Sequence, residues 1–360
     1  MNQQTILIGI TQGDINGIGY ELIIKSLLDS RILDSFTPVI YGSSKVLSYY
    51  RKTISKGNEF NYTIIRQVEQ AVPHKVNMLN ITAQELKIDM GEATPVSAQA
   101  AFDSLEIAVR DLNDGKLDAV VTAPVNKMAI QSDKFHFSGQ TEYFAARTHS
   151  DTPLMLMVSD RLRIGTATTH CALSDVSKKI SKDLILSKLR VLNKSLVQDF
   201  ACVKPRIAVL ALNPHGGENG LFGKEEEESI TPAIQEAFNE KIYAFGPFPA
   251  DGFFGSGRYA KYDAILAMYH DQAMIPFKTL SYGEGVNFTA GLPVVRTSPA
   301  HGTAYDIVGK DMASVDSFRN ALYLACDIYT NRHRTELDNV PEPQSVRNAG
   351  NTEKESADYE

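Results

Sequence analysis

The chain has 360 residues, 43% of them hydrophobic and 22% charged, which is long enough and apolar enough for one large folded domain or two moderate ones. A formal net charge of −7 argues against a broad basic surface for nucleic acid or anionic membrane, so any anionic ligand must be met in a local pocket. No run approaches the roughly 18 to 20 apolar residues of a membrane span. The first residues carry neither a basic start nor a long apolar segment, so the expected location is cytoplasmic. Cys171, Cys202 and Cys326 are widely spaced without a C-x-x-C pair and read as buried small apolar side chains.

From the N-terminus, short apolar runs ending in Gly, Pro or polar residues alternate with stretches of helical period. That alternation predicts an α/β fold with a parallel sheet covered by helices. Strands are expected at ILIGI near Ile6, PVIYGS near Val39 and LDAVVTAP near Val120, with a helix over VSAQAAFDSLEIAVRDL before the third. PLMLMVS near Met155 and RIGTATT near Gly165 follow, and SKDLILSKLRVLNKSLVQDF reads as a helix with Ser181 as its N-cap. RIAVLALN near Val209, DAILAMY near Ile265 and LPVVRTS near Val294 are the remaining strands, and DSFRNALYLACDIYTNR is the last helix. Most strands lack strict alternation, as expected when both faces are buried. From Thr335 the chain is polar and charged, and residues 335–360 are expected to be disordered.

Ligand crevices in α/β sheets form where strands end, so polar residues directly after strands are the ones to collect. His170 follows IGTATT, His215 follows VLALNP and His270 follows ILAMY, three of the eight histidines on three separate strands. Three imidazoles brought together would make a divalent metal site with an open position, suited to polarising a substrate oxygen. Asp251 in PADGFF and Asp271 beside His270 are candidate carboxylates, as further ligands, as groups that orient an imidazole, or in proton transfer.

Two glycine stretches imitate phosphate motifs and fail. GDINGIG has its glycines in reverse spacing, and GSGRYA follows no convincing strand. GGENGLFGK runs into four glutamates instead of the Ser or Thr of a P-loop, and that acidic run reads as the solvated first turn of a helix. Lys278, Asn287 and Arg296 follow His270, and Arg296 closes an apolar segment where a guanidinium needs an anionic partner. Together they describe an anion pocket beside the metal, with Lys278 the first candidate for moving a proton.

Eight blocks in order, GDINGIGYEL, VVTAPVNK, FSGQTEYFA, TTHCALSDV, LNPHGGENGLFGKEE, GPFPADGFF, DAILAMYHDQ and GVNFTAGLPVVRTSPAHGTAYDIVGK, resemble the 4-hydroxythreonine-4-phosphate dehydrogenases of vitamin B6 biosynthesis. The resemblance implies a fold like isocitrate and isopropylmalate dehydrogenases, with two interleaved α/β domains, a central cleft and no Rossmann fold. Residues 1–128 with 297–334 would form the first domain and residues 129–296 the second. It further implies that His301, Gly302, Thr303, Ala304 and Asp306 hold NAD, or NADP in its place. His170, His215 and His270 would bind one zinc, magnesium, manganese or cobalt ion across a homodimer interface, and Gln140 and Thr141 would contact substrate together with Lys278, Asn287 and Arg296.

The family usually reads Gly-His-Thr-Glu where this chain has Gly139-Gln140-Thr141-Glu142, replacing an imidazole by a neutral amide. Ile15, Asn16 and Tyr20 also stand where Pro, Ala and Pro are common, without a functional consequence readable in the sequence. The implied reaction is oxidation and decarboxylation of 4-phosphooxy-threonine. The alternatives are a sister dehydrogenase of phosphothreonate or phosphoerythronate and, further off, a metal-dependent phosphate-ester hydrolase.

Overall fold

The computed structural model describes residues 5–338. The first half of the chain forms β1 (Leu7–Thr11), α1 (Gly19–Leu27), β2 (Thr37–Gly42), α2 (Ser44–Arg51), β3 (Thr63–Ile65), β4 (Asn77–Asn80), α3 (Pro95–Asn113) and β5 (Ala119–Thr122). Next come α4 (Gln140–Arg147), β6 (Leu154–Val158), β7 (Arg163–Thr166), α5 (Leu173–Lys179), α6 (Lys182–Gln198) and β8 (Arg206–Leu210). The remainder is α7 (Thr231–Asn239), β9 (Tyr243–Phe248), α8 (Ala250–Gly255), β10 (Ala264–Ala267), α9 (His270–Ser281), β11 (Val286–Ala290), β12 (Arg296–Pro299) and α10 (Asp316–Asp338).

Local chemistry starts the long helices, at Ser181 as anticipated and at Thr94 as the structure adds. Ser181 accepts from the Leu184 amide at the head of α6, and Thr94 accepts from Ser97 ahead of Pro95, whose fixed φ suits the first helical position. The last helix runs to Asp338, four residues into the stretch expected to be disordered; the rest of that tail lies outside the described residues.

The α/β class holds, but the sheet is mixed. Twelve strands run in the order β3-β4-β2-β1-β5-β12-β11-β6-β7-β10-β8-β9. The pairs β12–β11, β11–β6 and β6–β7 are antiparallel; short loops join β6 to β7 and β11 to β12, where a parallel pair would need a long crossover, and these two hairpins lie side by side through β6 and β11. Ser159 to Leu162 turns β6 into β7, and Gly291, at φ +82°, opens the connection from β11 to β12.

The centre of this sheet alternates, and the alternation builds the site. On one face Phe288 and Thr297 meet α10, with the Thr297 hydroxyl donating to the Ala321 carbonyl at 2.7 Å. The opposite face of the same strands carries Arg296 and Ser298 on β12, Asn287 and Thr289 on β11, and Met155 and Met157 on β6; Asn287 pairs in register with both Ser298 and Met157. That face opens into a cleft.

Candidate active site

A cavity of about 310 Å³ lies over this polar face, and its wall includes Thr122, Met155, Met157, Asn287, Arg296 and Ser298. Gln140 and Thr141, at the start of α4, enter from one side. His170, from the β7–α5 loop, and His301 and Gly302, after β12, close other parts of the wall.

His270, Met274 and Lys278 also line the cavity, at spacings of four residues along one face of α9. His270 therefore begins a helix rather than ending a strand: β10 stops at Ala267, Tyr269 is the N-cap, and Pro276 sits inside the helix. Gln272 ties this helix start to the sheet, its side-chain oxygen accepting from the Met268 amide and its nitrogen donating to the Ala211 carbonyl, both at 2.7 Å.

Other expected residues lie elsewhere. His215 and Asp251 are exposed and do not line the cavity; the loop bearing the first and the helix bearing the second follow β8 and β9 at the edge of the sheet. Asp271 is exposed and meets His270, with 2.7 Å between its Oδ1 and the imidazole Nδ1, a contact that orients the ring. Beyond Gly302 the loop turns away toward the segment after β1. There the Ile18 amide donates to the Thr303 carbonyl at 3.1 Å, Tyr305 donates to Asp14 at 2.6 Å, and Ala304 adopts a φ of +42°, while Asp306 is exposed.

Arg296 is the electrostatic centre of the wall. It is 2% exposed, and burial pulls its pKa down to about 10 against the opposing charge of Glu142, so it remains a cation at neutral pH. Its Nη2 donates to Thr122 Oγ1 at 2.7 Å and to Gln140 Oε1 at 2.9 Å, its Nη1 to Thr289 Oγ1 at 3.3 Å, and its guanidinium lies over the Phe144 ring. Its Nε has no partner, nor does Asn287 Oδ1. Buried polar atoms left unpaired are costly; the Arg296 donor fits an anionic oxygen and the Asn287 acceptor a hydroxyl or amine of a polar ligand.

The residues fit a metal in part. His170 and His270 share the cavity, and each has its Nδ1 against a carboxylate, Glu142 at 3.1 Å and Asp271 at 2.7 Å, which leaves Nε2 as the atom with which either ring could coordinate. A hydrogen bond on the other ring nitrogen is the usual support of a metal-binding imidazole. Among the described residues no group of three His, Cys, Asp or Glu is assembled within one chain, because His215 stands apart.

The sequence matches the family model described as pyridoxal phosphate biosynthetic protein PdxA over residues 34–325. The chain belongs to the PdxA family. A 4-hydroxythreonine-4-phosphate dehydrogenase from Bacteroides thetaiotaomicron is 47% identical over 341 residues, 94% of this chain and 93% of that one. A protein from Oceanobacillus iheyensis, provisionally named a D-threonate 4-phosphate dehydrogenase, is 37% identical over 89% of this chain and 97% of its own length. The crystal structure of a 4-hydroxythreonine-4-phosphate dehydrogenase from Burkholderia phymatum superposes with a TM-score of 0.74 at 35% identity, covering 91% of this chain and 99% of that one.

Several contributors to this PdxA-family site are not singled out by sequence reasoning. Thr122 and Thr289 hold Arg296 but look like ordinary strand residues. Lys127 lines the cavity with its Nζ 3.4 Å from His170 Nε2, and Glu142 orients the same ring. Glu227 and Glu228 of the acidic run are exposed as expected, but Glu226 is not solvated: it is 3% exposed and accepts from the Leu212 and Asn213 amides, both at 2.8 Å, and from the Asn213 side chain at 2.9 Å. It thereby clamps the loop in which His215 takes a left-handed φ of +54°. Asn16 and Tyr20 also gain a role: Asn16 donates to Glu92 O and accepts from the Asp89 amide, and Tyr20 donates to Gln12 Oε1 at 2.6 Å. Cys326 is buried as expected, whereas Cys171 and Cys202 are only partly so.

Proposed function

We propose that the chain oxidises the secondary hydroxyl of 4-phosphooxy-L-threonine to 2-amino-3-oxo-4-phosphooxybutanoate, which loses carbon dioxide to give 3-amino-1-hydroxyacetone 1-phosphate, in pyridoxal 5'-phosphate biosynthesis. The observation that carries this reading is Arg296, buried and still charged on the cavity wall, with Asn287 beside it. When bound, a divalent metal would polarise the reacting oxygen and NAD or NADP would accept the hydride.

His170 and His270 of one copy, with His215 of another, are the proposed metal ligands, and residues 301–306 the proposed nucleotide loop. A two-domain division at residues 1–128 with 297–334 and 129–296 would put strands β1–β5 with β12 on one side of the cleft and strands β6–β11 on the other. Arg296 and Thr141 would take the phosphate, with Asn287 hydrogen-bonding nearby. Gln140 would act through Arg296, which it already holds. Lys278, as the neutral amine, would accept the hydroxyl proton and become the ammonium; Asp271 would orient His270, and Asp251, outside the cavity of one chain, could contribute only to a neighbouring copy's site. The oxidised product is a β-keto acid, so carbon dioxide leaves while its bonding electrons pass into the ketone, and a proton then returns to carbon.

A second reading has a specific basis. The Oceanobacillus iheyensis relative carries a D-threonate 4-phosphate name at 37% identity, and that acid replaces the amino group by hydroxyl. Absorbance of reduced nicotinamide, followed after chelation and readdition of zinc, magnesium, manganese or cobalt, separates the two. Metal-dependent signal with 4-phosphooxy-threonine and little with phosphothreonate or phosphoerythronate supports the first reading; the reverse moves the chain to the sister activity, and silence with all overturns both.

A further inference from the structure

His170 offers one lone pair, and two cations have a claim on it. Its Nδ1 lies 3.1 Å from Glu142 Oε1, a carboxylate oxygen that can only accept, so Nδ1 carries the proton and Nε2 the lone pair. Lys127 Nζ stands 3.4 Å from that Nε2, and an ammonium has only donors, so Lys127 donates to His170. Nε2 is also the atom through which His170 would bind a metal.

The backbone of Lys127 is fixed while its head is not. Asn126 Oδ1 accepts from the amides of Met128 and Ala129, both at 3.0 Å, and Gln131 donates to the Lys127 carbonyl at 3.1 Å. The side chain itself is exposed within the cavity wall, on a stem that can swing without moving the turn. Arg296, across the cavity, has no such freedom, being buried and held by Thr122, Thr289 and Gln140.

We propose that Lys127 and a divalent metal compete for Nε2 of His170, and that metal entry turns the Lys127 ammonium toward an anionic group of the substrate in the same cavity. The proposal rests on the reading of His170 as a metal ligand. One lone pair cannot serve both cations, and two cations at one nitrogen repel. Glu142 Oε1 is engaged by His170 and its Oε2 is buried, so a phosphate or carboxylate of the substrate in the open cavity is the partner we assign to a displaced ammonium. Lys127 is then a positioning residue that couples the two binding events: substrate gains this contact only after the metal has arrived.

The test uses the full chain and manganese alone, with free ion followed by electron paramagnetic resonance, for the wild type, Lys127→Met, Lys127→Arg and His170→Ala. Removal of the competing donor should tighten manganese binding about tenfold in Lys127→Met, while Lys127→Arg stays near the wild type. Calorimetry with 4-phosphooxy-threonine and no nicotinamide should show manganese strengthening substrate binding in the wild type, with that enhancement smaller in Lys127→Met. Unchanged or weaker manganese binding in Lys127→Met, with His170→Ala losing the metal, overturns the competition and leaves the metal site standing. No binding by the wild type, or full binding by His170→Ala, overturns the metal reading and the proposal with it.

Discussion

Gln140 Oε1 accepts from Arg296 Nη2 at 2.9 Å, so a neutral amide holds the buried cation of the site. Arg296→Ala should raise KM by roughly 10- to 100-fold, the scale of a lost hydrogen bond to a charged group, with a smaller change in kcat. A fall in kcat at unchanged KM would instead place Arg296 at the reacting centre. Gln140→His adds a titratable partner: neutral imidazole can accept from the guanidinium, whereas imidazolium repels it. KM of this variant should therefore climb as pH falls from 8 to 6 relative to the wild type. Parallel KM profiles for the two proteins would show that the pair does not set substrate affinity.

Glu142 links stability to acid. Burial raises its carboxyl, but hydrogen bonds from His170 and its own backbone amide, with the charges of His170 and Lys127, outweigh that and hold the pKa below the ordinary carboxylate value. A folded-state pKa below the unfolded one stabilises fully above the unfolded value and is lost as pH falls through the folded one. Urea unfolding of Glu142→Gln should accordingly show a shallower loss of stability than the wild type below about pH 4.5. Identical slopes on the acid side would mean that Glu142 gains nothing from its neighbours on folding.

Glu226 tests whether the His215 loop is built from beneath. Its carboxylate satisfies two backbone amides and the Asn213 side chain, and the Gly217 Cβ position would lie only 2.7 Å from its Oε2, so the loop and the carboxylate are fitted to each other. Glu226→Ala should lower unfolding free energy by about 1 to 3 kcal/mol, measured in urea, because the donors are left buried without an acceptor. It should also weaken metal binding by the assembled protein, since His215 in its left-handed conformation loses its support. Metal affinity equal to the wild type in a folded Glu226→Ala chain would remove His215 from the ligand set.

The sequence made the elements with strong local signals legible: α6 with its Ser181 cap, α3, and the apolar runs of β1, β2, β5, β6, β7, β8 and β10. It hid β3 and β4, which are short, and β9 and β11, whose Gly, Pro and Asn content dilutes the apolar run. Antiparallel pairing at the centre was hidden too, because buried strands look alike in either direction. Among site residues, His170, His270, Lys278, Asn287 and Arg296 could be collected from sequence. They meet for a reason the sequence does not display: Asn287 and Arg296 point from a strand face, and His270 and Lys278 from one helix face. The four-residue spacing of His270, Met274 and Lys278 is a helical signal, but it directly follows the apolar run of β10, which has the pattern of a strand. Lys127 and Glu142 carry no local signal, since their role is set by contacts with His170, more than 25 residues away.

Lys278 separates proton transfer from binding. It lines the cavity two turns beyond His270 on α9, so it approaches the same bound group as the imidazole from one rigid element. A general base contributes to the transition state and little to ground-state affinity, so Lys278→Ala should lower kcat by about 10²- to 10⁴-fold and move KM by less than tenfold. Lys278→Arg keeps the positive charge in a group that does not deprotonate, and should be nearly as slow as the alanine variant. Steady-state kinetics with saturating nicotinamide and metal reads both effects. If arginine restores kcat, Lys278 supplies charge rather than a proton site; if alanine raises KM while turnover survives, it belongs with Arg296 among the anion-binding groups and the proton acceptor must be sought elsewhere.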